Sequence, residues 1–125
     1  MQNLKITIVE DDHAIQQMYK IKLEFEGYKV STADNGKEGL DVIERNLPDL
    51  ILLDLRMPVM GGEEMLQNLR KQDWAANIRV VILTNISKDE APAGLRFLGV
   101  DRYIVKAHHT PKQVVNIIEE LLGGS

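Results

Sequence analysis

Five polar residues have side chains suited to handling a phosphoryl group together with a divalent cation, and all of them lie at or next to the ends of short apolar segments. They are Glu10, Asp11, Asp54, Thr84 and Lys106. Carboxylates that lie together repel one another, so either one of them binds a proton or a hard cation neutralises them. Mg²⁺ suits such a set because it prefers oxygen ligands and shares its coordination sphere with phosphate oxygens.

Asp54 is the candidate nucleophile, because a carboxylate held beside Mg²⁺ can form an acyl phosphate. Lys106 would then offset the charge of the transferring phosphoryl group, and the Thr84 hydroxyl would donate to its oxygens. An acid after a strand is more often a helix cap or a surface group. We assign the capping role to Asp12, whereas for Asp54 the neighbouring residues favour the chemical role.

The elements that must position these residues are predicted from the period of the apolar pattern. Short apolar segments rich in branched side chains predict five strands, and segments with helical spacing lie between them. The last helix is the clearest, with Thr110 as its N-cap and Pro111 at its first position. Strict alternation of strand and helix predicts a parallel sheet with helices on both faces, in which ligands bind at the carboxyl ends of the strands. The predicted strands are KITIVE (5–10), YKVST (28–32), LILLDL (50–55), RVVILT (79–84) and RYIVK (102–106).

The segment between the last two strands contains a proline that limits its helix. Pro92 cannot sit inside a helix and disfavours the helical conformation at Ala91, although Ser87 and Glu90 have the spacing of a capping box. We therefore expect the fourth helix to begin only at Pro92.

Length and composition predict one small cytoplasmic domain. The 125 residues, of which 44% are hydrophobic, can bury a single core, so we expect residues 1–125 to form one domain. No apolar run approaches the roughly 20 residues that span a bilayer, and the start MQNLKITIVEDD does not resemble a signal peptide. The absence of cysteine excludes disulfides and thiolate metal sites. A net charge of −4 without a basic cluster argues against direct binding to nucleic acid or to a membrane surface.

Four motifs together resemble the receiver domains of two-component response regulators. They are IVEDD, DLRMPVMGG around Asp54, VILT ending in Thr84 and GVDRYIVK ending in Lys106, and the resemblance covers essentially the whole chain. It implies a flavodoxin-like (βα)5 fold, a doubly wound five-stranded parallel sheet of strand order 2-1-3-4-5. It also implies that Asp54 is the phosphoacceptor, that Asp11 and the backbone carbonyl of Arg56 bind Mg²⁺ directly, and that Glu10 binds it through water.

The resemblance further implies a signalling role rather than an enzymatic one. A histidine kinase or histidine phosphotransfer protein would give its phosphoryl group to Asp54, and the domain would catalyse only this transfer and its own dephosphorylation. The phosphoryl group would draw in Thr84 and let Tyr103 turn inward, which would repack the surface of the fourth helix, fifth strand and fifth helix. The downstream protein is not predicted, and a phosphorylation-dependent dimer through this surface stays open.

Several positions depart from the pattern of the family. Ala107 follows Lys106 where the family commonly has a proline after a cis peptide bond, and the isomer of this bond stays open. Asn85 replaces a small residue, and Arg56 and Ile86 lie where they line the route of attacking water, so the dephosphorylation rate is not predicted. Because of these departures we retain a second hypothesis, in which the domain is a receiver-like interaction module without phosphate turnover.

A third hypothesis is an aspartate-based phosphohydrolase, which would have a second acid two residues after the nucleophile. Arg56 occupies that position, so this hypothesis ranks last. His108 and His109 lack a third ligand at useful spacing, and we interpret them as a solvated loop.

Overall fold

The computed structural model describes residues 3–123, which form a five-stranded sheet flanked by helices. All strand pairs are parallel and the order is β2-β1-β3-β4-β5, which confirms the predicted doubly wound topology. The strands are β1 Lys5–Val9, β2 Lys29–Ala33, β3 Leu50–Leu53, β4 Arg79–Thr84 and β5 Arg102–Val105. The α-helices are α1 His13–Phe25, α2 Gly36–Asn46, α3 Gly62–Leu69 and α4 Pro111–Leu121.

The connection between β4 and β5 differs from the expected fourth α-helix. It contains two short 3-10 helices, Lys88–Glu90 and Ala93–Phe97, separated by Ala91 and Pro92 in extended backbone. Pro92 prevents a helix from running through Ala91, as the sequence predicted. Gly99, with φ of 69°, ends the segment soon afterwards. The segment between Pro92 and Gly99 is too short to form a stable α-helix, so only a 3-10 helix forms.

Two apolar cores lie on opposite faces of the sheet. Ile51 and Leu53 of β3 point into the core shared with α2 and α3, whereas Leu50 and Leu52 point into the core shared with α1 and α4. All residues of β3 are therefore buried, which explains its continuous apolar sequence. Because β3 lies between β1 and β4, the residue that follows it is placed at the centre of the carboxyl edge of the sheet.

Side-chain caps fix where the helices begin. Asp12 is the N-cap of α1 and its carboxylate accepts a hydrogen bond from Ile15 N at 3.1 Å, which confirms its predicted capping role. Thr110 and Gln113 form a capping box at the start of α4. In the part of the chain that the structure describes, no helix is long and apolar enough to cross a membrane.

Arg70, just after α3, ties together three segments at the edge of the sheet opposite to Asp54. Its guanidinium donates hydrogen bonds of 2.7 to 3.1 Å to the backbone carbonyls of Ala75, Ile78, Leu98 and Gly99. These carbonyls belong to the segments that precede β4 and β5. Arg70 therefore fastens α3 to the connection between β4 and β5, which has little regular structure of its own.

Candidate functional site

The five candidate residues meet at the carboxyl edge of the sheet. Glu10, Asp54 and Lys106 directly follow β1, β3 and β5, and Thr84 is the last residue of β4. Carboxylate oxygens of Glu10, Asp11 and Asp54 all lie within 4.8 Å of one another. The parallel sheet therefore brings together the acidic residues that the sequence singled out, in a set that offers three oxygen ligands to one cation.

Lys106 joins two of the carboxylates. Its Nζ lies 2.8 Å from Glu10 Oε1 and 3.4 Å from Asp54 Oδ2. Burial opposes the charge of the ammonium group, but the hydrogen bond to Glu10 and the charges of Asp54 and Glu10 together raise the pKa of Lys106. The lysine therefore stays protonated and presents a fixed positive charge beside Asp54.

The pKa of Glu10 is raised in the folded protein. Its side chain is almost fully buried, and this burial raises its pKa to about 7, while the Lys106 hydrogen bond and the Asp12 N–H act in the opposite direction. The nearby charge of Asp54 raises the pKa further. A cation that replaced the proton would relieve the same electrostatic cost, so proton binding and cation binding compete at Glu10.

Asp54 is buried at its base and faces a cavity. Its Oδ1 accepts a hydrogen bond of 2.7 Å from Leu55 N, which fixes the orientation of the carboxylate. The cavity has a volume of about 280 Å³ and opens to solvent, so a small molecule can reach the carboxylate. It is lined by Asp54, Arg56, Thr84, Asn85, Ile86, Glu90 and Lys106.

Gly62 allows the loop after Asp54 to pass close to α3. A Cβ atom at Gly62 would lie 2.4 Å from the backbone oxygen of Asp54 and 3.1 Å from Leu55 Cα. Any side chain at this position would therefore push the loop after Asp54 away from the helix. This contact explains Gly62, the second glycine of DLRMPVMGG, to which sequence reasoning had assigned no role.

Tyr103 lies under the connection between β4 and β5. Its hydroxyl donates a hydrogen bond of 2.7 Å to the carbonyl of Ile86, two residues after Thr84. Burial, together with the charges of Asp54 and Glu90, raises the pKa of Tyr103. The phenol therefore contacts the backbone close to Thr84, and its pKa responds to the carboxylates of Asp54 and Glu90.

Three further sequence predictions concern residues in and around this site. Arg56 lines the cavity with its side chain exposed, and the Lys106–Ala107 peptide bond is trans. Within residues 3–123, His108 and His109 belong to no cluster with metal-ligand spacing.

Gln16 is a residue of the site that sequence reasoning missed. It is buried, and its side-chain amide donates to the carbonyl of Glu10 at 2.9 Å and to Asp34 Oδ1 at 2.9 Å. It shares the buried face of α1 with Tyr19 and Leu23, so a polar residue in an apolar stripe was the available signal. These hydrogen bonds stabilise the position of the loop that contains Glu10.

Comparison with known proteins places this arrangement in a family. The family model described as the response regulator receiver domain matches residues 6–119. The chain is 35% identical over 122 residues to a probable transcriptional regulator, ycf27 of Porphyridium aerugineum, covering 98% of this chain and 49% of that protein. It is 30% identical over 113 residues to the phosphate regulon transcriptional regulatory protein PhoB of Rhizobium meliloti, covering 90% and 50%.

Solved structures agree with the sequence comparison. A receiver domain protein from Methanospirillum hungatei matches with a TM-score of 0.86 and 34% identity, covering 98% of this chain and 95% of that one. The chemotaxis response regulator CheY4 of Vibrio cholerae matches with a TM-score of 0.87 and 28% identity, covering 96% and 99%. The chain spans about half the length of the two transcriptional regulators. It belongs to the receiver domain family of two-component response regulators.

Proposed function

We propose that this receiver domain accepts a phosphoryl group on Asp54 from a histidine kinase or a histidine phosphotransfer protein. The observation that carries the proposal is the position of Asp54, whose carboxylate faces an open cavity between a fixed ammonium group and two further acids. The similarity to a protein named sporulation initiation phosphotransferase F of Bacillus subtilis, 40% identical over 84 residues and covering 67% of this chain and 66% of that one, supports the same direction.

The acidic cluster fits Mg²⁺. It offers hard carboxylate oxygens from Glu10, Asp11 and Asp54 within reach of one ion, and the backbone carbonyl of Arg56 would complete the protein ligands. When bound, Mg²⁺ neutralises the negative charge that builds up as the phosphoryl group approaches. The residues themselves supply the orientation, because Leu55 N and Lys106 hold the carboxylate of Asp54.

The transfer needs one bond to form and one to break. An oxygen of Asp54 attacks the phosphorus, the P–N bond to the donor imidazole breaks, and the imidazole leaves with the bonding electron pair and takes up a proton. Lys106 stabilises the charge on the phosphoryl oxygens, and Thr84 lines the same cavity, where its hydroxyl can donate to one of them. The domain in this proposal catalyses its own phosphorylation and dephosphorylation and acts on no other substrate.

The phosphoryl group would act as a switch through Thr84 and Tyr103. Movement of Thr84 toward the new acceptor oxygens would shift the backbone at Ile86, whose carbonyl binds the Tyr103 hydroxyl. The surface that responds would consist of the 3-10 helix Ala93–Phe97, β5 and α4. The proposal requires changed backbone amide shifts between Thr84 and Lys106 on addition of beryllofluoride.

The output of the domain is proposed to be a protein contact. The net charge of −4 is unfavourable for contact with a phosphate backbone, so an attached or separate protein partner is the expected target of the switch surface. A phosphorylation-dependent dimer through this surface is one form that the contact could take. We also propose that residues 1–125 act as a single receiver domain, which the match over residues 6–119 supports.

Intact mass spectrometry after incubation with acetyl phosphate tests the proposed function. We expect a Mg²⁺-dependent gain of one phosphoryl group in the unmodified protein and no gain in Asp54→Asn. Circular dichroism of the variant checks that its fold is intact. An absence of labelling in the folded protein, together with no response to beryllofluoride, would instead favour the interaction module without phosphate turnover.

A further inference from the structure

Glu90 contributes a second carboxylate to the wall of the cavity that leads to Asp54. It lies at the end of the 3-10 helix Lys88–Glu90, and its Oε1 accepts a hydrogen bond of 3.3 Å from the Ser87 hydroxyl. Its side chain and that of Asp54 line the same cavity of about 280 Å³. The exposed Glu90 side chain is therefore held in the lining of the cavity by its own turn and by Ser87.

The charge of Glu90 reaches the interior of the site. The pKa of Tyr103 is raised first by burial, then by the charge of Asp54, and then by that of Glu90. Both carboxylates therefore act on one phenol, and both line the same cavity. A phosphate that enters this cavity experiences both charges.

The other charged groups near the cavity cancel only part of the repulsion between the Glu90 carboxylate and an incoming phosphate. Lys106 is already paired with Glu10 and Asp54 deep in the site. Arg56 and Glu90 are both exposed residues of the cavity lining, and Arg56 attracts an incoming anion whereas Glu90 repels it. An entering phosphodonor thus meets one cation and one anion in addition to Lys106.

We propose that Glu90 tunes the preference of the domain among phosphodonors, because its charge slows the phosphorylation of Asp54 more for donors with greater negative charge. The inference rests on the proposed function, because it concerns the same transfer to Asp54. In each reaction an oxygen of Asp54 forms a bond to phosphorus. With acetyl phosphate the P–O bond breaks and acetate leaves, and with phosphoramidate the P–N bond breaks and the nitrogen leaves as ammonia. Acetyl phosphate is a dianion at neutral pH, whereas phosphoramidate carries an additional protonated nitrogen and one negative charge fewer.

The test compares Glu90→Gln with Asp89→Asn, using both small donors and Mg²⁺. The two variants remove one negative charge each from the same exposed turn, but only Glu90 lines the cavity. The glutamine oxygen can still accept the Ser87 hydrogen bond. We expect Glu90→Gln to raise the phosphorylation rate with acetyl phosphate about threefold, as expected for one partly screened charge several ångströms away. The increase should be smaller with phosphoramidate and should shrink at high salt.

Two results would overturn the inference and leave the proposed function standing. One is an equal rate for Glu90→Gln and Asp89→Asn with acetyl phosphate. The other is the same acceleration with both donors, because a change in the shape of the turn would not depend on donor charge. If the unmodified protein is labelled by neither donor and does not bind beryllofluoride, the proposed function fails and this inference fails with it.

Discussion

Replacing Glu10 with glutamine should change how the stability of the metal-free domain depends on pH. Burial raises the pKa of Glu10 from 4.5 to about 7 in the folded protein. Between these values the folded chain holds a proton that the unfolded chain has released, so the stability falls as the pH rises. The contribution of Glu10 is fully present below pH 4.5 and is lost above about pH 7. The difference between the two pKa values corresponds to roughly 3 kcal/mol of unfolding free energy.

Urea unfolding in the presence of EDTA, followed by circular dichroism at about pH 5 and about pH 8, measures this effect. Glutamine cannot ionise, so the unfolding free energy of Glu10→Gln relative to the unmodified protein should rise by about 2 to 3 kcal/mol between these pH values. Glu44→Gln, which changes an exposed carboxylate of α2, is the control and should follow the unmodified protein. The reasoning is refuted if the stability difference between Glu10→Gln and the unmodified protein is the same at both pH values.

Three further predictions concern the metal, the arginine anchor and a strained loop. Because a proton on Glu10 would compete with the proposed Mg²⁺, the affinity for Mg²⁺ in calorimetric titrations should fall as the pH drops below about 7, and a flat profile would contradict this competition. Arg70→Met should lower the unfolding free energy by about 2 to 4 kcal/mol because four carbonyls lose a charged donor, whereas the exposed Arg102→Met should change it by less than about 0.5 kcal/mol. Val59→Gly should raise the unfolding free energy by about 0.5 to 1 kcal/mol, because the exposed, β-branched Val59 has a φ of 69°. An unchanged or lower midpoint of urea unfolding would show that Val59 is not strained.

The positions of the main site residues could be predicted because they depend on the topology of the sheet. Once the apolar pattern indicated parallel strands, the residues after β1, β3, β4 and β5 had to lie at one edge. Asp54 is central because β3 is central. The capping role of Asp12 was also predictable, because an N-cap depends on a hydrogen bond to a residue only three positions away.

Two features of the site depend on tertiary packing and were not predictable in the same way. The missing helix around Leu95 is a different case, because Pro92 and Gly99 leave too little chain between them for one. Glu90 reaches the cavity because of the path that the connection between β4 and β5 takes in the fold. The local sequence pattern does not predict this path. Gln16 likewise has a role only because the loops after β1 and β2 come together around its amide.

The proposal that Asp54 is the phosphoacceptor is tested by locating the phosphoryl group on the chain. Borohydride reduces an aspartyl phosphate to homoserine, so treatment after incubation with acetyl phosphate and Mg²⁺, followed by peptide mapping, identifies the modified residue. We expect homoserine at position 54 alone, and none when EDTA replaces Mg²⁺. Homoserine at Asp11 or at another acid, or labelling that does not require Mg²⁺, would contradict the assignment of Asp54 as the phosphoacceptor of this site.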